Sequence, residues 1–571
     1  MKILGLFNAT DSGAALIVDG KIVAAANEER FTRTKQIRSF PNESISYVLG
    51  TQGISVQEID WVGCGAWNGI DNQTTLLRLV EDIFDQLDHE EDETRAQLLQ
   101  RCKVSSAQDQ KAKDDLLSNL ARLGILPEKV LFCDHHYSHA ITAYYCSPFA
   151  EAIVFTADGR GDFRSVTLWS ATRGSGLQLV DFATELTSPG SLYGMITKHL
   201  GFTPDRHEGK VTGLAARGKH TPAYEILKAG FFYDEQAGRI RSRIGANYRP
   251  FLSASIESLR NRLSPYSKED IAWAVQKILE ETLIAFLMKN IGGRPENSVD
   301  LCLAGGCMGN VKLNYELSRL NPVRNIYVFP QMGDGGNALG GALNVAIRLE
   351  KRQYFDLRTV YLGPEFTAQD IEAALEQHQL PFKKLSGPDK IQTTARLIAE
   401  GNIVGWFQGR MEYGPRALGA RSILAEATQS SINDSLNVRL QRSEFMPFAP
   451  VTIESQAARC FQDWRPDQPA SRFMTTCYLC TPLLKEKCPA VVHVDDTARP
   501  QVVFRADNPE YHDVIEAYVR LTDNPAIINT SFNHHEEPIL CSPGDAARSF
   551  LRGNVDALII GDYWVDGRVK K

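Results

Sequence analysis

A phrase of strand, Asp-bearing turn and hairpin occurs twice in this chain, and that repetition constrains the fold more than any other feature. Ile3 to Phe7, Ala14 to Val18 and Lys21 to Ala26 read as strands, separated first by a polar turn that includes Asp11 and then by Asp19-Gly20. The pattern returns at Ala152-Ile153-Val154-Phe155, turns through Asp158-Gly159-Arg160-Gly161-Asp162, and continues as strands over Ser165 to Ser170 and Leu177 to Phe182. Ile59-Asp60-Trp61-Val62-Gly63-Cys64-Gly65 is echoed in turn by Val299-Asp300-Leu301-Cys302-Leu303-Ala304-Gly305-Gly306. An internal echo on this scale predicts two related lobes facing a cleft.

An α/β architecture fits: a duplicated ribonuclease-H-like fold, as in actin-like and sugar-kinase-like ATPases, where Asp-bearing turns from both lobes approach the nucleotide phosphates. Residues 346 to 360 read as a helix end and connector. The helical pattern Ala368 to His378 and the strand-like Ile403-Val404-Gly405-Trp406-Phe407 then open a second α/β domain. A chain of 571 residues exceeds what one hydrophobic core supports, so the expected division is residues 1–350 and 353–571. Residues 72–123 are polar and acidic, with Leu76, Leu77, Leu79, Ile83 and Leu87 at helical intervals, and read as an inserted helical subdomain.

Bulk charge narrows the partners. A formal net charge of −7, a pI near 6.0 and the lack of a Lys/Arg tract argue against nucleic acid and anionic membrane and favour a small-molecule partner. Eleven cysteines lack a framework spacing, and the apolar N-terminal run is too short for a signal peptide, so reducing cytoplasm is expected. No apolar run reaches membrane-spanning length, since Asp19 and Lys21 interrupt the best early candidate.

Candidate chemistry begins with Asp134-His135-His136-Tyr137-Ser138-His139. On a helix, His135 and His139 share one face, so both rings can reach one metal ion. Asp134 equally fits a helix cap, with His136 on the surface. Asp158 and Asp334, each on a glycine-containing turn after an apolar strand, complete a two-His, two-Asp set. Such a set suits Fe²⁺, Zn²⁺ or Mn²⁺ without choosing among them. Gly305-Gly306-Cys307-Met308-Gly309-Asn310 precedes a helical Val311 to Leu320, where glycines let backbone N–H groups approach an anion. A plain structural turn explains those glycines nearly as well. Gly333-Asp334-Gly335-Gly336 precedes Ala338-Leu339-Gly340-Gly341-Ala342, whose small residues predict a helix packed closely on a sheet.

A second anion-handling set lies in the rear half. Arg410, Arg416 and Arg421 flank Pro415, which predicts a helical first turn through Arg416-Ala417-Leu418-Gly419. Guanidiniums there bind phosphate oxygens bidentately, with a solvated Arg-rich turn as the alternative. Asn529-Thr530-Ser531-Phe532-Asn533 follows the apolar Ala526-Ile527-Ile528, and short polar groups at a strand's C-terminal end are where open α/β sheets bind ligands. Other signals carry no chemistry. Cys477 and Cys480 lack a second pair for zinc, Phe473 to Leu479 reads as a strand, and the adhesion-like tripeptide Arg160-Gly161-Asp162 has no use on a cytoplasmic turn. Two anion sites in one chain predict activation followed by transfer.

Several motifs fall in order along essentially the whole chain: Asn27-Glu28-Glu29-Arg30-Phe31-Thr32-Arg33, His135-His136-x-x-His139-Ala140, Glu208-Gly209-Lys210-Val211-x-Gly213-Leu214-Ala215, Gly409 through Gly419, Pro447-Phe448-Ala449-Pro450 and Asn529 through Asn533. By these the chain resembles the O-carbamoyltransferases that include nodulation protein U, the cephem carbamoyltransferases and tobramycin carbamoyltransferase. The resemblance implies an N-terminal domain like the universal tRNA-threonylcarbamoyl transferase and a YrdC-like C-terminal α/β domain like its adenylate-forming partner. The latter would convert carbamoyl phosphate and ATP, with Mg²⁺, into carbamoyl-adenylate. The former would pass the carbamoyl group to a hydroxyl of a small-molecule or sugar-containing acceptor.

Carried over residue by residue, His135, His139, Asp158 and Asp334 would hold the metal, Fe²⁺ being favoured. Glu208, Lys210, Gly305, Gly306 and Asn310 would line the nucleotide site. Arg416, Arg499, Asn529, Ser531 and Asn533 would bind carbamoyl phosphate and ATP, with Arg410, Arg421 and Thr530 beside them, and Lys35 and Asp11 would position the carbamoyl group or acceptor. Where many relatives have His-Asp and Lys-His, this chain has Thr10-Asp11 and Lys35-Gln36, which removes the imidazole that would take a proton there. Two rival readings are a fused tRNA-threonylcarbamoylating enzyme, opposed by the acidic balance, and an actin-like nucleotide sensor, which would release no pyrophosphate. The sequence leaves the acceptor, the metal and homo-oligomerisation open.

Overall fold

A computed structural model describes residues 1–67, 73–85, 92–242, 257–441 and 447–567. The chain forms two compact units, the first comprising Met1–Val23, Arg38–Pro41 and Val48–Asp356, the second Ala24–Ile37, Asn42–Tyr47 and Leu357–Lys571.

In the first unit, β1 (Lys2–Phe7), β2 (Gly13–Val18), β3 (Lys21–Asn27), β4 (Trp61–Trp67) and β5 (Val130–Cys133) form a sheet in the order β3-β2-β1-β4-β5. A second sheet uses β6 (Glu151–Gly161), β7 (Arg164–Thr172) and β8 (Gly176–Thr184), then, past the small hairpin β9 (Phe231–Asp234) and β10 (Arg239–Ser242), β11 (Val299–Ala304) and β12 (Val323–Val328). Its order, β8-β7-β6-β11-β12, repeats the third-second-first-fourth-fifth arrangement of the first sheet. In both, the opening strand is antiparallel to the next and parallel to the fourth. Short turns suffice for the antiparallel pairs, whereas the parallel ones need the intervening helices as crossovers. The echoing segments, β4 and β11, occupy the same place in the two sheets.

Close packing follows from glycine. The helix Asn337–Glu350 lies on the first sheet, where a Cβ at Gly63 would stand 1.9 Å from the Gly341 carbonyl oxygen and one at Gly5 2.0 Å from that of Ala338. Only hydrogen at these positions lets backbone meet backbone. On its other side the same helix meets His135–Tyr145, where a Cβ at Gly340 would stand 2.1 Å from Ser138 Oγ. The region expected as an insert contains the helices Gln73–Asp85 and Asp92–Arg122. Of its marker residues, Leu79 and Ile83 are buried, Leu76 and Leu77 are exposed, and Leu87 lies outside the described residues.

The second unit is built on a mixed eight-stranded sheet. In sequence order its strands are β13 (Lys383–Lys384), β14 (Val404–Phe407), β15 (Arg421–Ala425), β16 (Ala449–Ile453), β19 (Gln501–Val503), β20 (Ile527–Ser531), β21 (Ala557–Ile560) and β22 (Tyr563–Asp566), with the short pair β17 (Tyr478–Leu479) and β18 (Thr497–Ala498) apart. Alternation along the strands splits the core: Val404, Trp406, Ala557 and Ile559 pack with helices Gly387–Ala399 and Pro509–Thr522. Phe407, Leu558 and Ile560 pack with Ala368–Gln377 and Pro543–Leu551.

Two local expectations fail here. Arg416-Ala417-Leu418-Gly419 forms no helix. Glu412 Oε1 takes the N–H groups of Leu418, Ala420 and Arg421 at 2.8, 2.7 and 3.0 Å, and Gly414 (φ 140°) and Gly419 (φ 101°) leave the helical region. Phe473 to Leu479 is strand only at its last two residues, because the Pro469–Phe473 turn ends on a left-handed Met474 (φ 56°). No helix among the described residues is long and apolar enough to cross a membrane.

Candidate functional sites

Asp134 accepts from Tyr137 N at 2.9 Å and so caps the helix His135–Tyr145 at its first turn. That start places His135 and His139 on one face, their Nε2 atoms 3.1 Å apart. Asp158, within β6, brings Oδ2 to 3.2 Å from His139 Nε2 and 3.9 Å from His135 Nε2. Asp334, opening the short turn before Asn337–Glu350, brings Oδ1 to 3.3 Å from His135 Nε2 and 3.6 Å from His139 Nε2. The four expected metal ligands therefore converge, with their ligand atoms all within 4.8 Å of one another.

Supporting groups fix this cluster. Asp162 Oδ2 accepts from His135 N at 2.8 Å, and Gly306 N donates to Asp158 Oδ2 at 3.0 Å. A Cβ at Gly161 would stand 2.1 Å from His135 Cδ2, so that position admits only glycine beside the ring. His136, expected on the surface, is instead fully buried, its Nδ1 2.8 Å from Thr156 Oγ1. Burial opposes charge on His135, yet the Asp334 and Asp158 carboxylates hold its pKa well above the imidazole norm. Burial likewise opposes charge on Asp158, but His135 and His139 hold it well below the carboxylate norm. Asp162 is pushed up to about 7 by burial and then by Asp134.

The residues fit a metal ion. With ligand bonds of about 2.1 Å, neighbouring ligand atoms stand about 3.0 Å apart in an octahedron and about 3.4 Å in a tetrahedron. The nitrogen–nitrogen and nitrogen–oxygen separations run from 3.1 Å, close to the octahedral value, to 3.9 Å, beyond the tetrahedral one. Asp334 Oδ1 is moreover buried without a hydrogen-bond partner, an orphan a cation would satisfy.

Beside this cluster, the helix Glu208–Ala215 carries Glu208 and the buried Lys210. Burial raises the Glu208 carboxyl to about 7. Gly305 adopts φ 97°, where a side chain is strained, and its neighbour Gly306 is the one bonded to Asp158. Asn310 Oδ1 caps the helix Val311–Ser318 through Leu313 N at 3.0 Å, while its Nδ2 donates to Gln276 Oε1 at 2.7 Å and Thr212 Oγ1 at 3.3 Å. Asn310 is thereby tied to the Glu208 helix. Gln276, Thr212 and Asp162 were not anticipated as site residues; Asp162 alone had a signal, its place in the Asp-rich turn after β6.

In the second unit, burial first and the Arg499 charge second hold Arg416 well below the usual arginine pKa. Arg416 Nε is buried without a hydrogen-bond partner. Asn529 sits within β20, its Nδ2 donating to Gln501 Oε1 at 2.8 Å and Ala417 O at 3.1 Å. Thr530 and Ser531 complete that strand, and Asn533 Nδ2 closes the following turn on His534 O and Glu537 O at 2.7 and 2.8 Å. Arg421, expected beside the phosphates, is fully buried. Its donors go to backbone carbonyls of Pro364, Gln408, Gly409, Ala420 and Cys541, at 2.9 to 3.4 Å, and it lies 3.6 Å over the Phe407 ring. Arg410 likewise donates to Leu362 O, Gly363 O and Tyr47 Oη at 2.7, 3.3 and 3.2 Å.

The family models Carbamoyltransferase N-terminus and Carbamoyltransferase C-terminus match residues 2–343 and 395–567. The chain belongs to the carbamoyltransferase family. A relative, uncharacterized protein sll1178 of a Synechocystis species, is 34% identical over 97% of this chain and 94% of its own. Nodulation protein NolNO of Sinorhizobium fredii is 33% identical over 98% and 79%, and nodulation protein U of Rhizobium tropici 28% over 97% and 94%. The protein is thus a carbamoyltransferase enzyme. Within this carbamoyltransferase, Asp11 (φ 60°) belongs to the first unit and Lys35 to the second.

Proposed function

We propose that this carbamoyltransferase makes carbamoyl-adenylate from carbamoyl phosphate and Mg²⁺-bound ATP in its second unit, then transfers the carbamoyl group to an acceptor hydroxyl in its first. On this reading the two repeated sheets are ribonuclease-H-like lobes and the second unit is YrdC-like. The convergence of His135, His139, Asp158 and Asp334 carries the proposal, because a group-transfer centre that expels a phosphate needs fixed positive charge where that anion departs.

Arg416 and Arg499 gather the anionic substrates: the Arg499 charge opposes that of the half-buried Arg416, and a phosphate between them relieves that repulsion. Asn529, Ser531 and Asn533, on and just after β20, supply neutral partners. Water hydrolyses carbamoyl phosphate to carbamate and inorganic phosphate, and a carbamate oxygen then joins the α-phosphorus of ATP as pyrophosphate leaves. The acceptor oxygen then attacks the carbamoyl carbon while AMP departs with the electrons of the broken C–O bond. A divalent metal, Fe²⁺ by preference, held by the two imidazoles and two carboxylates, supplies Lewis acidity for that departing phosphate. Gly305, Gly306 and Asn310 seat the nucleotide, Glu208 and Lys210 flank it, and Asp11 and Lys35 orient the acceptor or carbamoyl group. Forming the mixed anhydride within the same chain that consumes it limits its hydrolysis.

Pyrophosphate release tests the first step: it should require carbamoyl phosphate and ATP together, and release from ATP alone would overturn the scheme. Mass spectrometry of a glycoside panel, reading the gain of one carbamoyl unit, identifies the acceptor.

A further inference from the structure

We propose that the helix Asp92–Arg122 is a strap that holds the metal-binding residues in register, acting through Arg160 on one flank and Trp67 on the other. The inference rests on the metal reading of His135, His139, Asp158 and Asp334. Arg160 follows Asp158 closely on β6, in the stretch where the pairing of β6 with β7 shifts register between Ala157 and Gly161. Regular ladder bonds do not define this stretch, so side chains must. The Arg160 guanidinium donates to Ser105 Oγ at 3.0 Å and to both Asp109 carboxylate oxygens at 2.9 and 3.1 Å, and its Nε lies 3.4 Å from Glu185 Oε2. Ser105 and Asp109 are buried on one face of the strap, which Leu116 and Leu120 continue.

What Arg160 steadies is the segment carrying both Asp158 and Gly161, and Gly161 is the position pressed against the His135 ring. A displacement there moves one metal ligand and releases the wall behind another.

On the opposite flank, Ala112 O accepts from Asn8 Nδ2 at 2.9 Å, and Lys113 Nζ donates to Trp67 O at 3.3 Å. Trp67 is held at φ 72°, a costly conformation for a bulky residue, with its indole N–H on Asn8 Oδ1 at 3.1 Å. Its ring stacks on Phe7 at 6.4 Å, and Phe7 meets His135 edge-on at 6.1 Å. One helix therefore reaches both sides of the cluster, and neither Arg160 nor Trp67 is itself a ligand.

The test is metal affinity in the full-length protein, with Fe²⁺ under anaerobic conditions and Mn²⁺ as separate probes, each by competition with a chromogenic chelator. Asp109→Ala should weaken affinity about tenfold or more, the loss typical of groups that orient ligands, and Asp109→Glu should recover most of it. Asp114→Ala, on the exposed face of the same helix, should bind as the wild type does. Equal affinity in folded Asp109→Ala and wild type overturns the strap, whereas a wild type that binds neither ion overturns the metal reading instead. Should Asp109→Ala not fold, Ser105→Ala removes one Arg160 bond and should cost about threefold; unchanged affinity there overturns the strap equally.

Discussion

The Nε2 atoms of His135 and His139 face one another at 3.1 Å. Two imidazole nitrogens that close suit one shared metal ion. With Asp158 and Asp334 closing the other sides, His139→Ala should abolish bound metal by elemental analysis. Acceptor carbamoylation should fall by about 100-fold or more, while pyrophosphate release in the second unit continues near the wild-type rate. Loss of both activities in a folded variant would contradict the division of labour.

Arg499→Ala should stop carbamoyl-adenylate formation, and synthetic carbamoyl-adenylate should restore transfer. Arg416→Lys should not rescue the first step, since an ammonium lacks the planar fork that binds two oxygens at once. Steady-state pyrophosphate release separates these outcomes.

Arg421→Met should act on stability rather than on substrate affinity. It strands buried carbonyls, five of which Arg421 now serves, at about 3 kcal/mol or more in total. Urea denaturation checks this, and an unchanged midpoint with lost phosphate binding would return Arg421 to the anion site.

Gly63→Ala puts a methyl 1.9 Å from the Gly341 carbonyl oxygen, and backbone on both sides leaves no flexible group to give way. A loss of about 2 to 3 kcal/mol is expected, with weakened metal retention, because the helix Asn337–Glu350 that must shift follows Asp334 directly.

Glu185 links stability to pH. Burial raises its carboxyl from 4.5 to about 7, so the folded protein holds a proton there that the unfolded chain releases. The Glu185 contribution is therefore fully present below about pH 4.5 and lost as pH rises towards 7, because burial outweighs the opposing charge of Arg160, 3.4 Å away. Glu185→Gln should flatten that part of the profile and stabilise the protein at neutral pH by on the order of 2 kcal/mol. Melting temperatures across this range provide the measurement, and a parallel profile for the variant would refute the assignment.

Local order in the sequence settled a good deal. Alternation and turn residues at residues 2–27 and 151–184 specified the paired hairpins, since strand period and turn chemistry act between near neighbours. Helical spacing put His135 and His139 on one face, and the small residues of 338–342 announced a close helix–sheet contact. Motif order placed the chain among the carbamoyltransferases. Tertiary structure decided the remainder. Pro415 invites a helix, but the side chain of Glu412 folds back onto the amides of Leu418, Ala420 and Arg421 and bends that segment into a loop. Arg421 reads as a phosphate ligand until folding surrounds it with carbonyls, and His136 reads as exposed until β6 covers it with Thr156. Asp158, His139 and Asp334 meet only because β6, a capped helix and a glycine turn converge in space. Local propensity is fixed by neighbouring residues, whereas the occupation of each donor and acceptor depends on groups far apart in the chain.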